Sequence, residues 1–114
     1  MSARYSPGQI LLAALAFSNQ SGLKRRPVVV VYDGGDDDLL VAPITSHPAR
    51  SARDLLLSEW RQAGLRLPSI ARIEKLATVE KGTIIRPLGQ VSGADCQQFK
   101  SAIQALFATI LSRW

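Results

Sequence analysis

The stretch on which the fold turns is Lys24-Arg25-Arg26-Pro27-Val28-Val29-Val30-Val31-Tyr32, then Asp33-Gly34-Gly35-Asp36, then Leu39-Leu40-Val41-Ala42-Pro43-Ile44. The valine run is β-branched and has no polar face, so it reads as a strand covered on both sides. The Asp-Gly-Gly-Asp segment supplies a turn, and residues 39–44 form the next strand. The three cations stand at the junction where a polar, glycine-bearing loop (residues 18–22) delivers the chain to Pro27.

Upstream, residues 10–17 (ILLAALAF) follow Arg4 and contain Ala14-Leu15-Ala16, which mimics the end of a secretory leader. The run is too short for that, and Pro7-Gly8 stands directly before it. A first strand entered through a Pro-Gly turn is the better reading. Downstream, residues 45–53 (TSHPARSAR) are small, polar and basic, hence an exposed loop. Residues 54–57 and 69–76 read as strands joined by residues 58–68, which contain Trp60 and Gly64. Residues 83–91 are the last extended piece, and Pro87 puts it at an edge or bend. Ser92 and Asp95 approximate a capping box. Beyond them Phe99, Ile103, Leu106, Ile110 and Trp114 recur on one helix face, broadened by Phe107 and Leu111. The expected fold is mainly β with a C-terminal α-helix: a strongly bent sheet of five to seven strands closed by that helix, in one domain over residues 1–114. Strands do not alternate with long helices, which argues against a parallel α/β fold.

Composition narrows the function. At 114 residues and 46% hydrophobic, the chain can bury about two thirds of its surface and needs no staples. One cysteine, Cys96, excludes an internal disulfide, and one Cys with one His cannot build a Cys/His zinc site. Cys96 sits one helical turn before Phe99 and reads as a packing residue. No apolar run reaches the length of a membrane span. Fourteen Lys and Arg against nine Asp and Glu leave +5. Four of those acids, Asp33, Asp36, Asp37 and Asp38, crowd one turn that reads as solvated, so the rest of the chain carries +9. A small domain with that balance should bind something acidic, nucleic acid first. Aromatic residues make up only 6% and no strand carries two, which argues against a base-stacking sheet platform.

Two clusters fit phosphate chemistry. Lys24-Arg25-Arg26 can hold a phosphate, and Arg26 is the best placed because Pro27 and the buried strand fix its backbone. Thr45-Ser46-His47 ends a strand with hydroxyls and leads to Arg50 and Arg53. His47 is the only histidine and a possible proton-transfer group, although its loop setting also fits plain exposure. Glu74 and Glu80 form no carboxylate dyad by spacing, and the chain has no P-loop, GxGxxG or G-x-S-x-G.

Read together, these pieces resemble the MazF/PemK toxin family. The resemblance rests on Pro7-Gly8-Gln9-Ile10-Leu11-Leu12, Phe17-Ser18 and Lys24-Arg25-Arg26-Pro27-Val28-Val29-Val30, then Leu40-Val41-Ala42-Pro43-Ile44-Thr45-Ser46. Trp60…Ala63-Gly64-Leu65…Pro68-Ser69 and Leu88-Gly89-Gln90-Val91-Ser92 complete it, over roughly residues 6–110. It implies an SH3-like small barrel of the CcdB/PemK type, a homodimer, and a cytoplasmic type II toxin that cleaves single-stranded mRNA without a metal or other cofactor. The family's catalytic Arg and Thr fall on Arg26 and Thr45. Lys24, Arg25, Asn19, Gln20, Ser46, Arg50 and Arg53 are the expected RNA-binding residues, and the partner is an acidic cognate antitoxin. Gln9 and Asn19 stand where many relatives carry acids, Ala77 where some carry an Arg, and Glu80 where those carry an Asp. The general base is therefore open between Glu80, His47 and no protein base.

Two other readings compete. A non-enzymatic toxin of the same fold would bind a protein target such as DNA gyrase, with residues 110–114 mattering more than Arg26. A catalytically silent barrel would bind RNA with steep salt dependence and never cut it.

Overall fold

The computed structural model describes residues 3–16 and 22–114. Its strands are β1 (Gln9–Ala16), β2 (Leu23–Tyr32), β3 (Asp38–Thr45), β4 (Asp54–Leu56), β5 (Ile70–Arg72), β6 (Ala77–Glu80) and β7 (Ile84–Gln90), followed by one helix, α1 (Gly93–Leu111). Every ladder is antiparallel, in the order β4-β5-β3-β2-β1-β7 with β6 also paired to β3. One edge of β3 lies along β2. Its other edge is shared, Asp38–Val41 by β6 and Ile44–Thr45 by β5.

The valine run behaves as its composition predicts. Val29 faces a core with Ile10, Ala42, Ile44, Leu57 and Phe99, whereas Val28 and Val30 face a second core with Leu11, Ala13, Leu39 and Val41. Successive strand residues point to opposite faces, so three central strands covered on both sides need apolar residues at every position. Helix α1 roofs the first core through Cys96, Phe99, Ala102, Ile103 and Leu106; Tyr5, Leu15, Val79 and Ile84 flank the second.

The expected barrel is not closed. Among the described residues β7 pairs only with β1 and β4 only with β5, so the two ends of the sheet are not joined. The strong bend is present: the β1–β7 register shifts twice, and the β2–β3 register shifts between Val30 and Tyr32. Such bulges bend and twist the bulged strand. Pro87 lies on β7, an edge strand, where a missing N–H is tolerated.

Four local expectations change. Residues 24–26 are not a loop junction but part of β2, because β1 continues to Ala16 and pairs Ala13 with Arg26, Ala14 with Arg25 and Leu15 with Lys24. Residues 69–76 split into β5 and a 3₁₀ turn at Ile73–Lys75. The helix face is covered only as far as Leu106; Phe107, Ile110, Leu111 and Trp114 are exposed. Ser92 does cap α1, its hydroxyl accepting the Asp95 N–H at 3.1 Å, and the Asp95 carboxylate reaches on to residues 58–59. It accepts the Ser58 N–H and hydroxyl and the Glu59 N–H, tying the 58–68 segment to the helix start. Burial raises the Asp95 pKa, but these hydrogen bonds outweigh it and hold the carboxyl below its usual range.

The acidic turn is only partly solvated. Asp33 is buried, accepts the N–H groups of Tyr5 and Gly35, and pairs with Lys81 at 3.1 Å. The Tyr5 N–H bond first, then that of Gly35 and the Lys81 ammonium, lower its pKa to about 2. A carboxyl lowered on folding stabilises the fold above its unfolded pKa and loses that contribution as pH falls toward the folded value. In urea unfolding of the wild type, stability should therefore fall between about pH 4 and pH 2; Asp33→Asn should be less stable at neutral pH and lack that component.

A second tie sets the wall of the site. Gly64 has φ of +88°, and a Cβ there would overlap the Leu88 carbonyl; a Cβ on Gly89 would overlap that of Ala63. The two glycine-bearing segments quoted above are thus the two sides of a single backbone contact.

Candidate active site

Arg26 and Thr45 come together at one end of the β2–β3 ladder. Val28–Pro43 is its last pair, and Arg26 and Thr45 each stand two residues beyond it and border the same cavity. Arg26 is exposed, and its Nη1 donates to the Arg25 carbonyl at 3.2 Å. Thr45 is half-buried where β3 pairs with Ile70 of β5. Its Oγ1 accepts the His47 N–H at 3.1 Å, which fixes the oxygen and leaves the hydroxyl proton to be donated outward.

Both residues line a cleft of about 310 Å³. Arg26, Thr45, Ser46 and His47 line it together with Leu65, Arg66, Leu67 and Ser69. Among the described residues no carboxylate lines it. The cleft therefore presents two guanidinium groups, hydroxyls and an imidazole, a donor set suited to an anion. Thr45 and His47 also line a smaller hollow of about 90 Å³, together with Arg50 and Arg72.

Asp54 shapes the loop between these hollows. Its buried carboxylate accepts the Arg50 N–H at 2.7 Å and the Ser51 N–H at 3.3 Å, and faces Arg72 Nε at 3.6 Å. The Arg50 N–H bond is the main reason the Asp54 pKa lies below its usual range; burial opposes it, and the Ser51 bond and the Arg72 charge add to it. The loop is thus held at both ends, by Thr45 and by Asp54. Arg72 Nε is buried and lacks a hydrogen-bond partner, since 3.6 Å exceeds hydrogen-bond range.

Several expected residues stand elsewhere. Glu80 pairs with Asp38, at the opposite end of β3 from Thr45. Seven residues of strand separate them, roughly 23 Å, so within one chain Glu80 does not line this cleft, whereas His47 does. Arg53 is committed to the protein itself: its Nε pairs with Glu74 at 3.0 Å and its Nη2 donates to Thr109 of α1 at 2.8 Å. Lys24 and Arg25 are exposed on β2 but do not line the cleft, and strand alternation turns Arg25 away from the Arg26 face. Asn19 and Gln20 lie outside the described residues. Arg66 and Arg72 were missed. The available signal was a lone charge inside an otherwise small and apolar run at Arg72, and a cation two residues after Gly64 at Arg66.

A model of the PemK-like, MazF-like toxins of type II toxin–antitoxin systems matches residues 6–107. Among solved structures, the Mycobacterium tuberculosis toxin MazF-mt6 is 22% identical over 88% of this chain and 96% of that chain, with a TM-score of 0.72. An endoribonuclease in complex with its cognate antitoxin, from a Mycobacterial species, is 14% identical over 90% and 91%, with a TM-score of 0.69. The MazE–MazF complex (Form-III) of Deinococcus radiodurans gives 14%, 91%, 96% and 0.71. At these identities the likeness to each is one of fold. No curated protein sequence matches.

Proposed function

The chain belongs to the PemK-like, MazF-like toxin family of type II toxin–antitoxin systems, and from that premise we propose that it is a metal-independent endoribonuclease acting on single-stranded mRNA. The observation that carries this reading is that Arg26 and Thr45, each two residues beyond the last β2–β3 pair, line one cleft with no carboxylate among its described lining residues. The substrate's own 2′-OH attacks the adjacent phosphorus. The 2′-O–P bond forms as the P–O5′ bond breaks, leaving a 2′,3′-cyclic phosphate and a 5′-OH. Charge grows on the non-bridging oxygens, where the Arg26 guanidinium can hold two at once and the Thr45 hydroxyl can donate to one. The His47 imidazole is the chain's candidate for taking the 2′-OH proton, and the 5′-oxygen takes a proton from solvent water as it leaves, His47 then returning its own to solvent.

The fold neighbours include an endoribonuclease bound to its antitoxin, which supports both the activity and a protein inhibitor. The chain's +5 charge, with its acids gathered at one turn, suits an acidic antitoxin that occupies the cleft and neutralises it. The exposed Phe107, Ile110, Leu111 and Trp114 give a homodimer an apolar surface to bury. No helix among the described residues is long and apolar enough to cross a membrane, and the site of action we propose is the cytoplasm.

The test is cleavage of a long single-stranded RNA by purified protein in EDTA, with the ends mapped. Cutting should persist in the chelator and leave 2′,3′-cyclic phosphate and 5′-OH termini. A single 2′-deoxy nucleotide on the 5′ side of a mapped cut should abolish that cut. Continued cleavage there would exclude attack by the 2′-OH.

A further inference from the structure

We propose that Arg66 is a second phosphate-binding residue of this cleft, gripping the RNA phosphate next to the one under attack. The inference rests on the ribonuclease reading and extends it from one phosphate to two. Arg66 lines the same cleft as Arg26 and Thr45, so two guanidinium groups from separate segments border one cavity that has no acid among its described lining residues. Three nearby cations are engaged within the protein: Arg53 pairs with Glu74, Arg72 faces Asp54, and Arg61 stacks 4.9 Å over the Trp60 ring; Arg50 lines the smaller hollow instead. Arg66 is exposed, and among the described residues no carboxylate pairs with it.

Its backbone is fixed on both sides. Two residues before it, Gly64 packs against the Leu88 carbonyl, and the Leu65 N–H donates to the Trp60 carbonyl at 3.1 Å. Just after it, the Leu67 carbonyl accepts the hydroxyl of buried Ser69 at 2.8 Å, while the Ser69 carbonyl accepts the Leu57 N–H at 3.0 Å. An arginine without a partner on a rigid mount loses little further freedom when it takes a phosphate. Arg26 and Thr45 already serve one scissile phosphate, so a further cation from a separate segment of the same cleft suits the next phosphate along the strand.

The experiment measures binding of a fluorescein-labelled, random-sequence RNA pool carrying 2′-fluoro riboses, which cannot be cut by 2′-OH attack, across a salt series. Each phosphate contact on a single strand adds about 0.7 to the slope of log affinity against log salt. Arg66→Ala should lower that slope by about 0.7 and weaken binding several-fold. Arg66→Lys should keep the slope, because a point charge still releases a counterion. On cleavable RNA, Arg66→Ala should raise KM far more than it lowers kcat. An unchanged slope in Arg66→Ala, with circular dichroism showing the fold intact, overturns the proposal even if the wild type cuts RNA. An unchanged slope together with lost affinity for a polyglutamate peptide also overturns it and reassigns Arg66 to a protein partner. If the wild type binds with an Arg66-dependent slope but never cuts, the ribonuclease reading fails and the phosphate site stands.

Discussion

Replacing Arg26 with alanine is expected to lower the rate of RNA cleavage by about 10³-fold while leaving the fold intact. The side chain is exposed, and β2 keeps its backbone ladder to β1 whatever side chain stands there, so thermal unfolding should shift little. The lost term is charge stabilisation in the transition state. A guanidinium holds two non-bridging oxygens in its plane, whereas Arg26→Lys supplies charge without the fork and should fall between wild type and alanine. The effect should appear in kcat, because the interaction strengthens as charge develops on the phosphoryl group. Thr45→Val should cost about 10² in rate by removing a donor, and it also frees the His47 N–H that Thr45 Oγ1 now accepts. Thr45→Ser keeps the hydroxyl and should retain most activity. Single-turnover cleavage on one mapped RNA measures all four variants. An Arg26→Ala protein that cuts at the wild-type rate would remove Arg26 from the chemistry.

The largest structural effect is expected at Gly64. Alanine there meets two penalties at once: a positive φ of +88° that side chains resist, and a Cβ placed inside the Leu88 carbonyl. The first costs about 1–2 kcal/mol; the second cannot be relieved by a rotamer change because the obstacle is backbone. We expect Gly64→Ala to lose about 4 kcal/mol in urea unfolding, or to fail to fold. Gly89→Ala, which meets the Ala63 carbonyl from the other side, should behave alike. By contrast a Cβ at Gly22 or Gly82 meets nothing within 4 Å. Gly82→Ala, whose φ lies outside the positive range, should therefore shift stability little. Gly64 also carries the segment that bears Leu65 and Arg66, so any folded remnant should bind RNA poorly.

The central sheet was legible because its signal is local. A run of valines can only be a strand with both faces buried, and the two cores on either side of β2 follow from that. Ser92 and Pro87 were legible for the same reason, as each acts on its own backbone. The misreadings share the opposite cause. Lys24, Arg25 and Arg26 carry no strand signal; they are extended because β1 runs far enough to pair with them. β6 is short and largely exposed, and exists through its ladder to β3. Asp33 looked solvated until Tyr5 and Lys81 closed over it. Arg53 looked available for RNA until Glu74 and Thr109 engaged it.

By its sequence alone, this protein was committed to a basic, mainly β domain ending in a capped helix. Those conclusions need only side-chain chemistry and short-range periodicity, while the family resemblance of the Arg-Pro and Ile-Thr pieces marked Arg26 and Thr45 as residues to watch. Tertiary structure decided which groups share a cavity. It brought Arg26 and Thr45 to one cleft at the end of the β2–β3 ladder, set Arg66 on the same cleft beside the Gly64–Gly89 contact, and put Glu80 at the opposite end of β3. Pairing register and close backbone packing depend on contacts between segments distant in the chain, so no local pattern of residues records them.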